Sequence, residues 1–235
     1  MRLRNTRKRT YTRLLKRLKM VNKTDQIEIK GKYIGQNCPV LIIAEVASAH
    51  EGNFDDLLKL IDLAAKTGAD AVKFQVLNAE SHMTPKHQIW DLVQQLEFSK
   101  DEWIEAAEYT RANSSMLLLV DVYDIQSITT VTAMKSDMIK IHSADLNNFE
   151  LIEAAAKLKI PAMIGVGASS LDEIEQCIKV YRDSNPEGFL SLMHGYQGFP
   201  TELEDMNIRQ LTLLREHFGL PVGFLDHAEG DTDAS

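Results

Sequence analysis

The chain has 235 residues, enough for one substantial core, and its 44 % hydrophobic and 26 % charged content is that of a globular protein. No run approaches the roughly 18 apolar residues of a membrane span, and the two cysteines, Cys38 and Cys177, stand in no metal-type or redox-type spacing, which sets aside a disulfide framework and makes a reducing cytoplasm the expectation. The net charge of −8 hides an asymmetry: residues 1–20 hold nine of the 26 bases and no acid, leaving 17 bases to face 34 acids in the remainder.

Residues 1–20 read as a basic N-terminal arm, expected to be disordered; a contact with an anionic surface is the alternative. The arm lacks the apolar centre of a secretory signal. The acidic body argues against nucleic acid as a partner. From there to residue 235 a single domain is expected. Pro39 to Val46 is a continuous apolar run of the kind a buried parallel strand needs. A helix follows with Leu57, Leu58, Ile61, Ala64 and Ala65 on one face, stopped at Gly68. Ala71 to Leu77 reads as the second strand. The long connection Asn78 to Phe98 exceeds an ordinary loop and suits either a substrate-covering segment or a surface excursion with a short helix.

The alternation then repeats. Ser99 with Glu102 and Ser170 with Glu173 form capping boxes ahead of two helices. Strands are expected at Met116–Val122, Met138–His142, Ile160–Val166, Phe189–His194 and Pro221–Leu225. Helices are expected at Ile125–Met134, from about Asn148 to Leu158, and from about Asp205 to Phe218. Seven β/α repeats imply parallel strands with right-handed crossovers. Polar residues recur at the C-terminal strand ends, which favours a TIM-type (β/α)8 barrel over an open doubly wound sheet. The barrel is expected to be incomplete, with seven strands and the eighth missing.

Chemistry-bearing residues cluster at those ends. His194 and His227 end neighbouring strands and suit a divalent metal, though polar lining is the plainer reading; a third protein ligand is not set by the sequence. Lys73 and Lys140 interrupt apolar strands, and either form an anion pocket or pair with Glu45 or Asp121. Glu45 suits acid/base work as well as pairing with a lysine. Asp145 and Asn147, after Ser143, could hydrogen-bond a polyol or cap the next helix.

The motifs IIAEVASAHEG (Ile42 to Gly52), VKFQ (Val72 to Gln75), KIHSADLNN (Lys140 to Asn148), IGVGASSLDEI (Ile164 to Ile174), LMHGYQGFPT (Leu192 to Thr201) and GFLDHAEG (Gly223 to Gly230) occur in series. As a set they resemble the sialic acid synthase family, over about Gly31 to Gly230. The resemblance implies a barrel that condenses phosphoenolpyruvate with an N-acetylated amino sugar of the N-acetylmannosamine type, giving a nonulosonic acid. It implies a divalent metal, Mn2+ in the usual account, on His194 and His227. It implies donor binding by Lys73, Lys140 and Ser143, a sugar contact by Gln75, and an acidic role for Glu45. Asp226 precedes the second histidine and is taken with Asp145 and Asn147 as substrate-binding. A cytoplasmic homodimer acting on small molecules, with neither nucleic acid nor membrane as partner, is the matching expectation.

The pattern also departs from that family. Ala49 stands where an asparagine is usual, Asp121 where a threonine meets the donor's phosphate, Gly165 where a serine is usual, and Leu225 where the second histidine motif has serine. The family's C-terminal antifreeze-like domain is expected to be absent. The alternatives are a related 3-deoxy-ulosonic acid synthase or aldolase with another donor, and a non-catalytic barrel that binds sugar, metal or a partner.

Overall fold

The computed structural model describes residues 26–228; the basic arm lies outside the described residues. A hairpin opens the chain. β1 (Gln26–Ile29) pairs antiparallel with β2 (Lys32–Gly35) across a two-residue turn. Lys30 and Gly31 both have positive φ, 49° and 82°, as the hairpin turn that follows the strands' right-handed twist requires. This hairpin was not among the expected elements. Its alternation of Ile27 and Ile29, then Lys30-Gly31, is the signal that identifies it.

The seven strands of the main sheet are β3 (Ile43–Glu45), β4 (Ala71–Gln75), β5 (Leu117–Val122), β6 (Met138–Ile141), β7 (Ala162–Gly165), β8 (Leu190–His194) and β9 (Val222–Phe224). They lie in chain order, and every neighbouring pair is parallel. The helices between them are α1 (Phe54–Thr67), α2 (Ala79–His82), α3 (Trp90–Gln95), α4 (Lys100–Asn113), α5 (Ile125–Met134), α6 (Phe149–Lys157), α7 (Leu171–Ser184) and α8 (Arg209–Phe218). The result is a curled, open β/α barrel of seven strands among the described residues, with β3 and β9 as its two edges. Ser99 and Ser170 cap α4 and α7 with their Glu partners as expected.

Two boundaries differ from expectation. The first strand is only Ile43–Glu45, because Pro39 to Ile42 run along an open edge where Val40 and Ile42 are exposed. The last helix begins at Arg209, after a single 3-10 turn at Leu203–Asp205. The long connection contains α2 and α3.

Strand alternation divides the apolar residues into two cores. One face packs on the helices: Val72 and Phe74, Leu118 and Val120, Ile139 and Ile141, Leu190 and Leu192 join Leu57, Trp103 and Tyr181 there. The inward face makes a smaller cluster at the N-terminal end of the strands, from Ala71, Leu117, Leu119, Met138, Met163, Phe189 and Met193. Ile34 of the hairpin belongs to this cluster, with Ile27 and Ile29 packed against it. Lys32 reaches Asp70 at 2.7 Å and Lys30 reaches Asp137 at 2.7 Å, just before β4 and β6, so ion pairs pin the hairpin as a floor under the barrel. No helix of the described residues is long and apolar enough to cross a membrane.

Candidate active site at the barrel mouth

Two residues above the apolar floor the inward face turns charged. The period of two that points Ala71, Leu119 and Met138 inward also points Lys73, Asp121 and Lys140 inward. Register sets Glu45 beside Lys73, and Asp121 beside Lys140. Lys73 Nζ contacts a carboxylate oxygen of Glu45 and lies 3.1 Å from Asp121 Oδ2; Lys140 Nζ lies 3.0 Å from the same Oδ2. The lysines thus form the ion pairs that were one of their two readings. All but Glu45 are buried, and Asp121 is 0 % exposed.

Burial and charge pull these groups in different directions. Burial draws the Lys73 ammonium down, but Asp121 and Glu45 outweigh it and hold its pKa above the ordinary lysine range. At Lys140 burial dominates what Asp121 returns, and its pKa is lowered. Burial raises the Glu45 carboxyl, against the pull of Lys73.

The inward rows continue past the strand ends. Tyr123, two residues after Asp121, is packed edge-on to His82 of α2 at 4.7 Å between ring centres, and lies 5.9 Å from His142, two residues after Lys140. Burial, then Asp121 and Glu45, raise the Tyr123 hydroxyl's pKa, so it stays protonated. His142 is lowered by burial and by Lys140, and is a neutral imidazole at pH 7. Sequence reading missed this pair, although extending the period of two by one step would have found it.

A cavity of about 1130 Å³ runs from between β3 and β9 to the mouth, and Glu45, Lys73, Gln75, Lys140, Asp226 and His227 line it. Ser143 is buried beside it, and its Oγ has no hydrogen-bond partner among the described residues. Ser143 also explains Gly165: a Cβ there would stand 2.4 Å from Ser143 Oγ and 2.8 Å from Ser143 N, so no larger residue fits unless this turn shifts. Asp145 and Asn147 do not line the cavity; Asp145 Oδ1 accepts from Asn148, and Asn147 lies 3.5 Å from Glu173 of α7. Asp226 Oδ1 accepts from Ala228 N at 2.9 Å.

The two histidines lie at the same end of adjoining strands, but only His227 lines the cavity. His194 shares the parity of Leu190 and Leu192, which face the helices. Each ring has one nitrogen at a backbone carbonyl: His194 Nε2 is 3.1 Å from Met206 O, and His227 Nδ1 is 2.8 Å from Tyr196 O. Since a carbonyl only accepts, the contact fixes the tautomer of the neutral ring with its N–H on that nitrogen, as backbone carbonyls do for metal-ligating histidines. Two imidazoles are chemically suited to a divalent cation, but His194 does not line the cavity that His227 lines. Among the described residues no group of three or more His, Cys, Asp and Glu side chains is arranged to hold a metal.

Fold and site define a β/α barrel with a buried ion cluster where the strands end, the position at which barrel enzymes build their sites. Residues 60–234 match the NeuB family, and the chain belongs to it. It is 32 % identical over 206 residues to the uncharacterised protein MJ1065 of Methanocaldococcus jannaschii, covering 88 % of this chain and 60 % of that protein. It is 28 % identical to the N-acetylneuraminate-9-phosphate synthase of Drosophila melanogaster, covering 86 % of this chain and 57 % of that one. Among solved structures, the N-acetylneuraminic acid (sialic acid) synthetase of Leptospira borgpetersenii superposes with a TM-score of 0.82 at 29 % identity, covering 87 % of this chain and 71 % of that chain. The chain spans about three fifths of the length of the curated relatives it matches.

Proposed function

We propose that this chain carries the catalytic barrel of a nonulosonic acid synthase, joining phosphoenolpyruvate to an N-acetylated amino sugar of the N-acetylmannosamine type. The observation that carries the reading is the cluster of Glu45, Lys73, Asp121 and Lys140 on four adjoining strands at the mouth. In this reading Lys73, Lys140 and the unpartnered Ser143 hydroxyl hold the anionic donor and orient its enol carbon toward the sugar's aldehyde. A carbon–carbon bond forms between them, water adds to the donor's C2, and phosphate leaves with the C2–O bond. Glu45, whose raised pKa lets it carry a proton closer to neutrality, handles the proton exchanged with the aldehyde oxygen or with water. Gln75 and Asp226, which line the cavity, are the acceptor-side residues of the same reading; Asp145 and Asn147, which do not, serve the turn after β6 instead. A divalent ion, Mn2+ in this reading, would be held by His194 and His227, and would supply polarisation of the aldehyde. A cytoplasmic homodimer completes the proposal.

The test is phosphate release from phosphoenolpyruvate with manganese and a panel of N-acetylated hexosamines. Release that depends on the sugar and drops at least about 100-fold in Lys140→Met, as for loss of a group that stabilises developing charge, supports the reading. Sugar-independent or absent release from a folded chain that binds phosphoenolpyruvate overturns it.

A further inference from the structure

Gln75, Asp121, Lys140, Met163 and Ser191 stand opposite one another across β4 to β8, one inward row at the mouth. Asp121 is the carboxylate on which Lys73 and Lys140 converge. Both ammoniums share Asp121 Oδ2, while Oδ1 is buried with no hydrogen-bond partner among the described residues. With Glu45 the four groups sum to zero charge. An anion close enough to touch both ammoniums is therefore also close to Asp121, and meets no net attraction. A fully deprotonated phosphate would set one negative oxygen against another. A proton on the phosphate removes most of that repulsion.

We infer that Asp121, behind the two lysines that line the cavity, is a specificity-determining residue that favours the donor's phosphate ester in its singly protonated form. The inference rests on the reading of Lys73 and Lys140 as the donor site. No bond in the donor breaks in this step; the proton comes with the ester, or from water when the ester in solution is a dianion. The titratable groups that act on or with Asp121 are Glu45 on β3, Lys73 on β4, Tyr123 beyond β5, and Lys140 and His142 on and beyond β6; Asp145, in the turn after it, acts on Tyr123 and His142. His142 could also favour an anion at low pH, so the test must separate it from Asp121.

Phosphoenolpyruvate is titrated into the chain by calorimetry without sugar, across the ester's second pKa of about 6. The expected result is an affinity that falls about tenfold per pH unit above that value, as linkage to one proton requires. Uptake of one proton per donor should accompany binding at the alkaline end, read from two buffers of different ionisation enthalpy. Asp121→Asn should abolish the fall, and pyruvate, which has no phosphate, should show none in either protein. A flat or rising affinity in the wild type, or the same fall in Asp121→Asn, overturns the inference and in the second case points to His142. If Asp121→Asn does not fold, His142→Asn takes its place: wild-type proton uptake that persists in that variant supports the inference, and uptake lost with it, or absent from the wild type, overturns it. A folded wild type that binds pyruvate or sugar but no phosphoenolpyruvate at any pH removes the donor-site reading itself, an outcome distinct from loss of pH dependence.

Discussion

The floor and the mouth of the barrel are made by the same strands, two residues apart. On β5, Leu117 and Leu119 face inward into an apolar cluster, and Asp121, the next inward residue, is a charge with the same absence of exposure. β6 makes the same step from Met138 to Lys140, and β4 from Ala71 to Lys73. Burial is equal at the two levels, but what it requires is opposite. The floor is held by apolar area and contact with the Ile34 hairpin, and tolerates loss of shape gradually. At the mouth each charge depends on a named partner, and loss of one partner leaves the others uncompensated.

Breaking the mouth should therefore cost most. Asp121→Ala leaves two buried ammoniums, Lys73 with only the exposed Glu45 as partner and Lys140 with none among the described residues, and should lower unfolding stability by about 3–5 kcal/mol in urea titration. A loss under about 1 kcal/mol would mean that water or Glu45 takes Asp121's place, and that the mouth is softer than its geometry. At the floor, Leu117→Ala should remove roughly 3 kcal/mol by the same measurement while leaving phosphoenolpyruvate affinity unchanged, because the cavity it opens lies among apolar neighbours. Coupled loss of affinity would show that the two levels act as one. The smallest effect is expected at the hairpin's edge. Lys32→Met removes a pair with both partners partly exposed, and should change stability by no more than about 1 kcal/mol.

Continuous apolar runs such as Leu117 to Val120 made the strands legible, and the Ser99 and Ser170 capping boxes made two helices legible. The charged mouth was legible as residue types, since a lysine inside an apolar strand needs a partner. Which partner was not. Lys73 and Asp121 are far apart in sequence and meet only through register, a cross-strand property that no local pattern records. The same limit applies to His194, whose place at a strand end is visible in sequence while its parity is fixed only once Ser191 is known to face inward. The hairpin was overlooked for another reason: its strands are four residues long and half polar, too weak beside the long apolar runs that follow.

That hairpin has a consequence for how the molecule is made on the ribosome. It emerges before any strand of the main sheet, yet the cluster that shelters Ile34 includes Met163 of β7 and Phe189 and Met193 at β8. Its apolar side must wait, solvated or chaperoned, until most of the described chain has been synthesised, and the floor of the barrel is thus laid first and seated late.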